Sequence, residues 1–148
     1  MGIKLEYMGW SSFIMTSPDG MRVMTDPFLS GNENYKILPS PVDPKDIIVD
    51  LIICSHCSED HLDNDPKTKL LGDLSTLALA EEAGYGNMWG ERTELITSGA
   101  YYSQGDFTIH ATSARHIAFR RLENGTYITG EPMCFIIQIK DGPTCFFG

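Results

Sequence analysis

The sequence predicts an α+β fold that is rich in strands and sparing in helices. Three observations carry that expectation. Short apolar stretches alternate with Gly, Pro, Asn and Asp turn signals along most of the 148 residues. One of these stretches, Ile47 to Cys54, is apolar enough to be a central strand buried on both faces. Helical composition is confined to two short segments in the middle of the chain.

The elements follow in order. Phe13 to Thr16 and Met21 to Met24 flank Ser17-Pro18-Asp19-Gly20, a hairpin turn in which Pro presets φ and Gly accepts φ > 0. Gly31 to Pro44 is rich in Pro, Asn and Ser and reads as a long surface loop. The Ile47 to Cys54 strand comes next. Asn64 to Leu71 suits a short helix, with Asn64 or Asp65 as N-cap and Pro66 in the first turn. Leu74 to Ala83 is rich in Leu, Ala and Glu and stops at Gly84, a C-cap residue. Phe107 to Ala111 follows a Gln104-Gly105-Asp106 turn. Asn124-Gly125 joins Arg120 to Leu122 with Thr126 to Ile128, the strongest short-range hairpin signal. Phe135 to Ile139 and Thr144 to Phe147 flank Asp141-Gly142-Pro143. An apolar strand running up to Gly148 raises the expectation of a partner or of further sequence beyond it.

Length is that of one domain. With 20 acidic against 11 basic residues, a net charge of -9 and a pI near 4.7, the chain is unsuited to gripping nucleic acid or an anionic membrane. No apolar run approaches the ~20 residues of a membrane helix, and the N-terminus carries no apolar leader. A cytoplasmic protein is expected, with Cys54, Cys57, Cys134 and Cys145 as thiols.

The chemistry concentrates in Cys54-Ser55-His56-Cys57-Ser58-Glu59-Asp60-His61-Leu62-Asp63, directly after the central strand. A loop at a strand exit can curl consecutive side chains around an ion, which a regular strand cannot. Two imidazoles and a carboxylate suit zinc, manganese or iron. Cys54-Ser55-His56-Cys57 also reads formally as C-x-x-C, a redox pair or half a zinc site, although Cys54 lies in the strand run, where a buried thiol is the ordinary reading.

The segment resembles the H-x-H-x-D-H signature of the metallo-β-lactamase superfamily. Met8-Gly9-Trp10-Ser11-Ser12-Phe13 is similar to the W-x-G-H-[SA]-x-F of its lactonase-like, metal-dependent hydrolase branch, which includes ascorbate-6-phosphate lactonase. Thr25-Asp26-Pro27-Phe28 resembles that branch's I-D-P-F, and Val49 to Ile53 its P-D-L-I-L-L. Ala111 to His116 resembles the strand that ends in a further ligand histidine. Asp141 to Gly148 resembles the D-G-x-x-I-x-F-x-G that precedes its G-D-T.

The resemblance implies the N-terminal portion of a four-layer αββα sandwich, making residues 1–148 a single, incomplete domain. It implies that His56 and His116 match one metal position and Asp60 and His61 the other. Asp60 also orients the nucleophile, and Asp26 supports a ligand histidine. The activity implied is hydrolysis of a lactone, ester or phosphodiester by metal-bound hydroxide, with zinc first and manganese or iron as alternatives.

Two substitutions depart from the pattern: Ser58 stands at the second histidine, and Trp10 at the histidine of G-H-S. Cys57 is a substitute donor if the loop is rearranged. Together with the end at Gly148, these departures support a second expectation, a degenerate binding or scaffold relative with an incomplete metal site, inactive as an isolated chain. The partner expected is a small-molecule substrate, anionic if Arg115, Arg120 and Arg121 steer it. A homo-oligomer, or pairing with a missing C-terminal half, is expected to cover the inner face carrying Ile52, Ile137 and Phe147.

Overall fold

Ser17-Pro18-Asp19-Gly20 closes the predicted hairpin, with Ser17 N–H donating to Met21 O at 2.9 Å and Gly20 at φ +94. It joins β2 (Ser12–Thr16) to β3 (Arg22–Thr25) in the computed structural model, which describes residues 2–58, 68–85, 87–122 and 124–148. β1 (Lys4–Gly9) pairs antiparallel with β2. On the other side β4 (Leu51–Ile53), β5 (Lys69–Gly72) and β6 (Thr93–Leu95) continue parallel from β3, making a six-stranded sheet in chain order.

β4 is the central, doubly buried strand the sequence predicts, but it is shorter than the run Ile47 to Cys54. Asp50 ties itself to the Arg22 main chain, accepting its N–H on Oδ2 at 2.7 Å and donating its own N–H to Arg22 O at 2.8 Å. Ile48, before it, is 75% exposed.

The expected helix over Asn64 to Leu71 is corrected where it can be seen. Residues 64–67 lie outside the described residues, and Lys69–Gly72 is strand β5. Leu70 and Leu71 are both fully buried but on opposite faces, one toward the helix layer and one toward the second sheet. That period of two belongs to a strand between two apolar layers.

The other helix forms as expected, as α1 (Leu74–Glu82). Asp73 caps it, accepting from the N–H groups of Ser75 and Thr76, and Gly84 follows it at φ +89. Leu77 and Ala80 pack on Ile14, Met24, Ile52 and Leu70.

The second sheet is antiparallel. β7 (Tyr101–Gln104), β8 (Phe107–Ser113), β11 (Met133–Ile139) and β12 (Thr144–Phe147) lie in the order β12-β11-β8-β7. β9 (Phe119–Arg121) and β10 (Tyr127–Thr129) form the separate Asn124-Gly125 hairpin. Phe107, Ile109, Ala111, Phe135, Ile137 and Ile139 alternate inward and meet Met15, Val23, Leu51, Ile53 and Leu71 of the first sheet.

The expectation of a bare inner face is therefore corrected. Ile137 and Phe147 belong to the core between the two sheets, and Ile52 faces α1 instead. The physical reason is strand parity: Ile52 sits between Leu51 and Ile53, which take the intersheet side.

Candidate functional site

The site is built where β3 and β4 end side by side. Asp26 follows β3 at φ +32, a left-handed conformation that Asp tolerates better than most residues. Its N–H donates to Ile53 O at 2.9 Å, locking the end of β3 to that of β4. The side chain is 1% exposed, and its two oxygens accept from Ser55 N–H and Ser55 Oγ–H, each at 2.6 Å. Ser12 Oγ donates to Asp26 O at 2.6 Å and accepts from Phe28 N–H at 2.9 Å. This network fixes the backbone immediately before His56. Ser12 and Ser55 are positioning residues that the sequence reading did not single out. Their only signal was small polar residues at strand ends.

His56 is buried. The end of β8 brings exposed His116 to it across some sixty residues of chain, their ring centroids 4.8 Å apart and tilted by 44°. Both line a cleft of ≈ 680 Å³ together with Asp26, Ser55 and Trp10. Asp60 and His61 lie outside the described residues. Among the described residues no group of three or more His, Cys, Asp or Glu gathers as a metal cluster. The converging imidazoles nonetheless fit part of a donor set for zinc, manganese or iron. Ser58, at the departure from the histidine pattern, donates its N–H to His56 Nδ1 at 3.3 Å.

Cys54 and Cys57 are thiols outside any disulfide, in different packing clusters, and burial pushes both pKa values up. A thiolate is disfavoured at each, which argues against the redox reading of C-x-x-C. Cys57 packs with Leu79 and Ala118, and Leu122 and Ile128 of the hairpin region close over them. Asp73 adds a polar tie, accepting from Glu131 N–H at 3.0 Å. The approach requires Gly130, where a Cβ would stand 2.1 Å from Ser75 Oγ. So the β9–β10 hairpin is fastened to α1 and stands beside His116. Arg120 and Arg121 lie on it, and a second groove runs under it. His110 matches no ligand pattern and stacks on Tyr101 on the outer face of the second sheet, centroids 4.0 Å apart.

The beta-lactamase superfamily domain matches residues 4–148 of the chain. The chain belongs to the beta-lactamase superfamily. It is 28% identical over 145 residues to a UPF0173 metal-dependent hydrolase of Rubrobacter xylanophilus, covering 95% of this chain and 57% of that protein. With the UPF0173 metal-dependent hydrolase of Carboxydothermus hydrogenoformans it shares 27% identity over 114 residues, covering 77% and 48%.

The chain thus spans about half the length of the curated relatives it matches. Its fold is that of a possible metal-dependent hydrolase from Veillonella parvula, with a TM-score of 0.72 at 15% identity over 99% of this chain and 62% of that one. It is also that of CmlA, a diiron beta-hydroxylase from Streptomyces venezuelae, at a TM-score of 0.62 and 14% identity over 99% and 29%. These likenesses make the α+β sandwich of this superfamily member secure.

Proposed function

We propose that the protein is a metal-dependent hydrolase of small molecules, acting on a lactone, ester or phosphodiester. The observation that carries this reading is the convergence of His56 and His116 from separate strand ends onto one cleft. The names of the UPF0173 relatives support it. His56 and His116 would hold the ion together with Asp60 and His61, zinc being the first choice and manganese or iron the alternatives. A divalent ion there supplies Lewis acidity and makes hydroxide available near neutral pH. Asp60 orients the attacking water. Asp26 holds the Ser55–His56 backbone so that the imidazole enters the cleft at a set angle. Four cysteines as thiols agree with a cytoplasmic setting.

A second reading, a binding or scaffold relative with a weakened site, is favoured by Ser58. A serine there supplies no imidazole donor, and its N–H donates to His56 Nδ1 at 3.3 Å instead. Elemental analysis after dialysis separates the two readings. Residues 1–148 should retain less than one equivalent of zinc, manganese or iron, and Ser58→His should raise affinity by about tenfold or more, since a lost first donor costs at least as much as a lost outer-shell partner. Two retained equivalents would sink the second reading. No retention in excess metal, unaltered by Ser58→His, would sink the first. Residues 1–148 alone should not turn over lactones or phosphodiesters, being half the relatives' length. A turnover that His61→Ala abolishes would contradict this.

Pairing is proposed for the outer face of the second sheet. There Phe146, Ile136, His110 and Tyr101 stand in register across all four strands, with Phe146 70% and Tyr101 66% exposed. Sedimentation at micromolar concentration should show self-association that Phe146→Lys reverses. A monomer at that concentration would refute it.

A further inference from the structure

We propose that the groove beside His116 seats a substrate that joins an apolar body to an oxyanion, a phosphate or carboxylate. The proposal rests on the hydrolase reading, whose substrate class it names. The groove is an open surface groove of ≈ 700 Å³, the size of a small-molecule site. Trp10, Ile117, Phe119 and Tyr127 give it apolar walls. A register shift in β1 and Gly9 at φ +110 deliver Trp10 at φ +49, a conformation rare for a bulky residue. Its indole thereby lines both this groove and the histidine cleft, joining the two. Phe119 and Tyr127, half exposed, face each other across the hairpin with centroids 6.0 Å apart.

Arg120 and Arg121 supply the other half of the recognition. Among the described residues neither lies in an ion pair, and no described residue lining the groove is acidic. In a chain with 20 acidic and 11 basic residues this is a local reversal of charge. Guanidinium groups match phosphate and carboxylate oxygens in pairs. The same arginines edge a groove against α1, where Glu82 is the acidic neighbour. Glu82 is thus the competitor that a test must include.

The chain has two tryptophans, so Trp89→Phe leaves Trp10 as a fluorescent reporter within the groove. In that background, phenyl phosphate, benzoate, phenol and inorganic phosphate are titrated in the presence of a chelator. Phenyl phosphate and benzoate should shift the Trp10 emission saturably, with phenol and inorganic phosphate at least about tenfold weaker. Arg120→Ala with Arg121→Ala should weaken the two aryl anions at least about tenfold while sparing phenol, as expected for lost charge-assisted bonds. The Arg→Lys pair should restore part of the binding. Thermal melts matching the parent chain tie the loss to the groove.

Whichever aryl anion binds more tightly identifies the substrate's charged group. Phenol binding as well as phenyl phosphate, or indifference to the double alanine variant, overturns the proposal. An effect of Glu82→Gln on aryl-anion binding larger than that of the alanine pair also overturns it, by assigning the anion to the groove against α1. The chelator keeps metal out of the measurement, so loss of the hydrolase reading and loss of this one give separate results.

Discussion

Asp26→Ala should lower stability by roughly 3–6 kcal/mol and take most of the metal affinity with it. The estimate adds the loss of two buried hydrogen bonds to a carboxylate, each worth about 1.5–3 kcal/mol. Alanine also sits poorly at φ +32, whereas asparagine tolerates that region and keeps one acceptor oxygen. Asp26→Asn should therefore lose only about 1–2 kcal/mol. The ordering matters more than either value. Urea denaturation of the two variants checks it, with zinc retention measured alongside. Equal midpoints for alanine, asparagine and the parent chain would mean that the Ser55 network does not hold the strand exit.

Phe135→Ala should cost about 3–5 kcal/mol, the usual range for a fully buried Phe truncated in a packed core. Phe135 lies in the middle of β11, in register with Ala111 and Phe147 of its neighbours, and faces the first sheet. If the sheets cover each other as described, the 148 residues melt in one cooperative transition, and this substitution moves it by many degrees. Phe146→Ala, one residue from Phe147 but on the outer face, should move it little. Comparable shifts from the two would mean that the intersheet core is not the main support of the fold.

Much of the architecture was legible in the residues. The Pro-Asp-Gly and Asn-Gly turns dictated their hairpins because few other conformations suit those dipeptides. Leu74 to Ala83 made its helix by its Leu, Ala and Glu content, with Thr76 the one β-branched residue, and by the stop at Gly84. Lys69–Gly72 misled because a short Lys-Leu-Leu run has no period of its own. Its state was set by the parallel partners β4 and β6 on either side.

For the site, the sequence by itself determined which residue types were in play: histidines at 56, 61 and 116, carboxylates at 26 and 60, and a serine where a histidine was expected at 58. Only the tertiary structure decided that His56 and His116 share a cleft, that both Asp26 oxygens accept from Ser55, and that the hairpin arginines line a groove with aromatic walls. Residue type is written locally. Proximity across sixty residues is not, because it depends on how two sheets of fixed strand parity close over a common core and which loop ends that closure brings together.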